Sequence, residues 1–382
     1  MDSFVLIRRR HDIFQETGDR ETCSLSIPVV CCLEGPAPDV SIHRGPRPQG
    51  AFMQRKKLVI KKVFCCLLAC VLFACPAFAA MSDAKFIDLC GSGSLQKIIA
   101  AIDNGADVNA TDNNGFTPLM AAADSNSNPK VITVLVEAGA NVNAKDLAGW
   151  SPLMMAAVTN NLEVMSALVK AGADVNASNN HGWTPLMLTA AFHKNPEAVK
   201  LLIRAGADVN AKADELPGGT PLLSAVCGEY RSTPKIVSAL IEAGANVNTK
   251  DAGGMTPLLL AARCSTPEII TTLIQAGAEV NKEGKGAAAL LILALIRYDP
   301  ASKVLETLVK AGVDVNARNK TGATPLIHAA QNSKATAIIT LLDLGADPNL
   351  TDDYGKAAID YARENIHLKD TQALQRLKKA SK

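Results

Sequence analysis

The sequence predicts an all-α solenoid of tandem helix–turn–helix units with β-hairpin-like fingers protruding between them. Three observations predict it. A Gly-Ala/Val-x-x-Asn tag recurs eight times, beginning at Gly105, Gly139, Gly172, Gly206, Gly244, Gly277, Gly312 and Gly345. Successive tags lie 34, 33, 34, 38, 33, 35 and 33 residues apart, the period of one supersecondary unit copied along the chain. A second marker, Gly-x-Thr/Ser-Pro-Leu, follows most tags by ten residues. Good copies begin at Gly115, Gly149, Gly182, Gly218, Gly254 and Gly322, and eroded ones at Gly286 and Gly355.

Each element of the unit has a local cause. Thr or Ser at the N-cap, followed by Pro at the first helical position, starts a short helix, because Pro lacks only an amide that would be orphaned there. Leu and a small Ala pair, as in Leu119-Met120-Ala121-Ala122, make one side thin enough for close stacking. A second helix follows, such as Val131 to Ala138, with Val131, Val134 and Leu135 at helical spacing. The tag glycine ends it, and a turn-rich finger such as Asn141 to Asp146 leads into the next unit. One unit cannot bury its apolar face alone, so the units must stack.

These markers at this period resemble the ankyrin repeat, and the resemblance covers Ser82 to the C-terminus. It implies a cap at each end, with seven internal repeats between. The pair Lys85 to Cys90 and Leu95 to Asn104 reads as the N-terminal cap, its outer face kept polar by Asp83, Lys85, Asp88 and Lys97. Ala357 to Glu364 and Thr371 to Lys379 read as the C-terminal cap. One signature residue differs. The position after Thr-Pro-Leu, usually His in that family, is Met120, Met154, Met187, Leu223, Leu259, Leu291 and Ile327, so an apolar contact replaces a hydrogen bond. The repeat from Gly286 has lost Thr and Pro and is almost wholly apolar from Ala287 to Ile296, either its best-buried helix or a weak point.

The first 79 residues read differently. Residues 1–52 are Pro-rich, lack helical periodicity, and are expected to be disordered or a gene-model artefact ahead of a true start at Met53. Residues 53–79 read as a secretory signal peptide. Arg55, Lys56, Lys57, Lys61 and Lys62 are basic, Val63 to Cys75 is apolar, and Ala77-Phe78-Ala79 is a small-x-small site ahead of Ala80. An uncleaved anchor and a lipoprotein attached at Cys75 or Cys70 are the alternatives. Residues 80–382 form the repeat domain, for which a periplasmic or secreted location is expected.

Of 39 basic and 37 acidic residues, 11 and 7 precede Ala80, leaving 28 against 30. No basic stripe remains, which argues against nucleic acid as a partner. Of ten cysteines, Cys90, Cys227 and Cys264 follow Ala80. Helix stacking at 8–10 Å exceeds the roughly 7 Å Cα separation a bridge tolerates, so three buried thiols and no disulfide are expected.

A search for chemistry finds no His-x-x-x-His, no Cys-x-x-Cys after the leader and no phosphate-binding Gly loop. No catalytic residue, cofactor or metal is expected. The candidates for function are aromatic: Phe116, Trp150, Trp183 and then Met255 occupy the x of successive Gly-x-Thr-Pro-Leu markers. The resemblance implies that this position lies on the concave face where partners bind, and Trp is enriched among interface hot spots. The other reading is that each ring packs on a neighbouring finger and stiffens the array. Flanking them are the fingertip residues Asp112, Asn113 and Asn114; Lys145, Asp146 and Leu147; and Asn179, Asn180 and His181. Phe192 and His193, at the end of a first helix, complete the set. Changing both tryptophans to Ala is expected to abolish partner capture with the melting point unchanged. The expected function is a non-catalytic protein–protein interaction scaffold in the bacterial periplasm, meeting membrane only through its leader or a lipid anchor. A secreted effector binding a host protein, or an envelope enzyme with a site in the groove, are the alternatives.

Overall fold

A computed structural model describes residues 81–159, 161–213, 219–227, 233–281, 284–296 and 301–381. The chain divides into two units, Met1–Ala79 and Ala80–Lys382, and all described residues belong to the second. The extension, the leader with Cys70 and Cys75, the finger at 214–217 and the turns at 229–232 and 297–300 lie outside the described residues.

Eighteen α-helices are formed among the described residues, in alternating first and second positions. The first helices are α1 (Asp83–Ser92), α3 (Pro118–Ser125), α5 (Pro152–Thr159), α7 (Pro185–Phe192) and α9 (Pro221–Cys227). They continue with α11 (Pro257–Cys264), α13 (Gly284–Ile296), α15 (Pro325–Gln331) and α17 (Ala358–Glu364). The second helices are α2 (Leu95–Asp103), α4 (Pro129–Glu137), α6 (Leu162–Lys170), α8 (Pro196–Arg204) and α10 (Pro234–Glu242). They continue with α12 (Pro267–Gln275), α14 (Ala301–Lys310), α16 (Ala335–Asp343) and α18 (Gln372–Ala380). Each first helix packs on its own second helix, each first helix on the next first helix, and each second helix on the next second helix. The result is a two-row stack in which the main helix contacts lie within a repeat and between adjacent repeats.

The caps form as their residues dictate. Oγ1 of Thr117, Thr184, Thr256 and Thr324 accepts from the amide three residues on, at 3.2 to 3.3 Å. Ser151 and Thr220 do the same at 3.4 Å. Pro follows at N1 in each case, so the start of the first helix is fixed to one residue. Where Thr and Pro are lost, α13 runs further: it begins at Gly284 and spans 13 residues, burying Ala287, Ala288, Leu290, Leu291, Ala294 and Leu295.

The core lies between the two rows. Ala122, Ala156, Ala157, Ala261, Ala262, Ala329 and Ala330 are wholly buried, which lets first helices approach closely. On α4, Val131, Ile132 and Leu135 are buried while Lys130, Thr133 and Glu137 face water. Full burial of one such aliphatic side chain is worth about 1.5–3 kcal/mol, realised only when the next repeat covers it. Met120, Met154, Met187, Leu223, Leu291 and Ile327 are among the most buried side chains, so packing does fill the position noted above, and Leu259 is half-buried.

The fingers are tight turns. Among the described residues they form no strand, and a single isolated bridge joins Thr351 to Ala357.

Candidate functional site

Most of the described fingers are built from one five-residue turn that opens with Asp or Asn and has Gly fourth. In Asp112–Phe116, Oδ1 of Asp112 accepts from the amides of Asn114 and Phe116, both at 2.8 Å. The amide of Asp112 donates to the Phe116 carbonyl at 3.1 Å, closing the turn. Asp146 repeats this with Ala148 and Trp150, and Asn179 with His181 and Trp183. Asn319 and Asp352 do so farther along. A short side chain that bonds its own backbone two residues on is what Asp and Asn bring to turns. The fourth residue is left-handed, with φ of 78° at Gly115 and 79° at Gly149. At Gly149 there is a second requirement: a Cβ would sit 2.7 to 3.0 Å from Asn179 and Asn180 of the next finger.

Neighbouring fingers are bonded side by side. The Leu147 amide donates to the Asn114 carbonyl at 2.9 Å, and the Asn180 amide to the Ala148 carbonyl at 3.1 Å. Asn180 Nδ2 donates to the Leu147 carbonyl at 3.0 Å, and Lys145 Nζ to the Ser178 carbonyl at 2.9 Å. A second ladder runs through the tags. Asn109 Nδ2 donates to the Gly139 carbonyl at 3.0 Å while its Oδ1 accepts from the Asn141 amide at 2.8 Å. Asn143, Asn176, Asn210 and Asn248 form the same pair of bonds with the following tag. The sequence reading missed this role, although the signal was present as an Asn at the fifth position of all eight tags.

Seven of the fifteen candidate residues are not on the surface, Asn179 among them, its Oδ1 held by the amides of His181 and Trp183. Phe116, Trp150 and Trp183 are buried, the two indoles 7% and 5% exposed, so the expected ladder of presented rings is corrected to a ladder of packed ones. The cause is the finger: the residue after its Gly turns back into the stack as the chain enters the first helix. Asp146 is also buried, its Oδ1 held by two amides. Phe192 is buried, and so is His193 at 4% exposed, where burial holds the imidazole below its usual pKa. The Asn195 amide donates to His193 Nδ1 at 3.2 Å, making the ring part of the turn into α8. Asp112 and Met255 are half-buried. Asn114, Leu147, Asn180 and His181 are exposed, Leu147 by 73%. Tyr354, 76% exposed at the tip of the last finger, is a surface aromatic that the sequence reading passed over.

The repeat geometry agrees with comparison to known families. The family described as Ankyrin repeats (3 copies) matches residues 87–146, 145–213 and 189–284, and that described as Ankyrin repeats (many copies) matches residues 308–362. The chain belongs to the ankyrin-repeat family. No curated protein matches this ankyrin chain. The matched segments include all the fingers from Asp112 to Met255, so the candidate residues lie within ankyrin repeats. An ankyrin array is a scaffold for protein–protein interaction, and the exposed side of this one that the sequence singled out is its row of fingertips.

The cysteines also need correction. None of the three is in a disulfide, but Cys90 alone is buried, and Cys227 and Cys264 are half-buried. Burial pushes the Cys90 thiol up to about 12, and its side chain is closed off from solvent.

Proposed function

We propose that this ankyrin solenoid is a non-catalytic scaffold, exported to the bacterial periplasm, that holds a protein partner on its fingertips. Asn114, Leu147, Asn180 and His181 form the centre of the contact. The observation that carries this reading is the bonding of adjacent fingers through Leu147, Asn114, Ala148 and Asn180. Tips locked in one row lose little freedom when a partner arrives, and association is limited by such ordering costs. Leu147 then supplies an apolar anchor among polar neighbours. The non-catalytic part rests on occupancy: the carboxylates of Asp112 and Asp146 already accept two backbone amides each.

Export is supported by the order of basic residues, apolar run and Ala77-Phe78-Ala79, and by a compact unit that begins at Ala80. A secreted effector would use the same fingertips and differ in where the native protein is recovered.

The test uses the chain as bait in envelope extract, comparing wild type with Leu147→Ala/His181→Ala. Captured protein is expected to fall about tenfold, a loss of about 1.4 kcal/mol, with circular dichroism unchanged. Equal capture by both baits would move the site elsewhere. Mass measurement of the native N-terminus is expected to give Ala80; a lipidated Cys75 or Cys70 would make the protein a lipid-anchored one, and an intact leader would make it an uncleaved anchor.

A further inference from the structure

Cys227 ends α9 and Cys264 ends α11, the first helices of adjacent repeats. Their Sγ atoms are 2.8 Å apart. This is closer than the roughly 3.5–4.0 Å at which two carbon atoms rest, and longer than the ~2.0 Å of a disulfide. Stacking of the first helices therefore does not keep these two sulfurs apart. Interaxial spacing limits backbones, whereas here both side chains lean into the gap from equivalent helical positions.

The surroundings hold the pair in register. Ser265 Oγ donates to the Val226 carbonyl at 2.7 Å, tying the end of α11 to the end of α9 beside the sulfurs. Cys264 Sγ also lies 2.9 Å from the Leu260 carbonyl and 3.8 Å from that of Val226, carbonyls of α11 and α9 that flank it. The hydrogen bond with Cys264 and burial push the Cys227 thiol up, and the Arg263 guanidinium opposes them by favouring the thiolate. Both residues are half-buried, so neither is sealed in the core as Cys90 is.

We propose that Cys227 and Cys264 are a redox modification site, closed to a disulfide by a low-molecular-weight disulfide such as oxidised glutathione. One protein thiolate attacks the oxidant's S–S bond, which breaks and releases one glutathione thiol. The second protein thiolate attacks the protein sulfur of the mixed disulfide, forming the Cys227–Cys264 bond and expelling the second glutathione. Two electrons pass to the oxidant, and the two thiol protons end on the two glutathione molecules. The closed bond links positions 37 residues apart, constraining the unfolded chain and clamping two adjacent repeats.

The full chain is incubated across a series of reduced and oxidised glutathione mixtures, quenched in acid, alkylated and digested with trypsin without reduction. The expected result is a cross-linked species joining the Cys227 peptide to the one that begins at Cys264. It should dominate at the oxidising end, persist on dilution, survive Cys90→Ser and vanish in Cys264→Ser. The oxidised chain is expected to melt several degrees above the reduced one. Recovery of Cys227 and Cys264 as separately alkylated or singly glutathionylated peptides throughout the series overturns the proposal. The wild-type map alone decides if the serine variant does not fold. No partner protein is involved, so this result is independent of the binding function.

Discussion

Asn176 is exposed to solvent and still joins two repeats, its Nδ2 donating to the Gly206 carbonyl at 2.9 Å and its Oδ1 accepting from the Asp208 amide at 2.7 Å. A net hydrogen bond is worth about 0.5–1.5 kcal/mol. Asn176→Ala is therefore expected to cost about 1–2 kcal/mol, read as a lower urea midpoint with an unchanged slope. Two glycines separate backbone strain from crowding. Gly139 has φ of 95° and nothing within 4 Å of a Cβ, whereas Gly149 has both a left-handed φ and the backbone of the next finger in the way. Gly139→Ala should cost about 1–2 kcal/mol for conformation alone. Gly149→Ala should cost clearly more in the same denaturation experiment. His193 gives a pH dependence. Its folded pKa lies below the ordinary value, so the unfolded chain takes up a proton first as pH falls. Stability should drop from about pH 6.5 down to the folded pKa and level off below it. Thermal melts of His193→Gln from about pH 7.5 to about pH 5 should show a smaller drop than wild type.

At the scale of the element, the first helices were legible because Thr-Pro fixes their start and the tag glycine fixes the end of their partners. The bonds to Met120, Met187, Leu259 and Ile327 are where the sequence placed them. Thr184→Ala is expected to destabilise by about 1 kcal/mol, the usual loss of an N-cap. The fate of the aromatic ladder was not legible. Spacing along the chain sets the repeat position of Trp150 and Trp183, but not how deeply the assembled stack covers a ring. The same is true of the sulfurs of Cys227 and Cys264, whose meeting depends on how two side chains lean. Burial reverses the expected outcome for the tryptophans. Trp183→Ala should cost about 3–5 kcal/mol and lower the melting temperature, where an exposed ring would have left it unchanged. Asp146 teaches a related lesson, since an acidic residue in a turn reads as available until the backbone amides that occupy it are seen.

For the whole molecule, the number of repeats and their order could be read directly, because a period near 33 leaves little freedom in how units stack. The unevenness of the stack could not. Among the described residues Asn281 forms no bond to the following tag; its side chain lies against Gly286, where a Cβ would sit 2.6 Å from the Asn281 Cβ. This is also the repeat that lost Thr and Pro and lengthened α13. Solenoid stability is close to a sum of repeat and neighbour terms, so a missing inter-repeat bond marks a preferred place of opening. Native-state hydrogen exchange is expected to give amides of α13 and α14 weaker protection than those of α5 to α8. Equal protection along the array would mean that apolar packing alone sets its cooperativity.

The finger turns carry a consequence for how such a surface can change. Their shape is dictated by the first residue, whose oxygen captures two amides, and by the fourth, whose φ is positive. Asn113 with Asn114, Lys320 with Thr321, and Asp353 with Tyr354 sit between these fixed points, mostly exposed and with few structural duties for their side chains. Mutation can therefore rewrite these pairs, one finger at a time, while the supporting architecture stays intact. A recognition alphabet of two letters per repeat is raw material for acquiring new ligands, and a combinatorial library confined to those pairs should yield folded variants at high frequency.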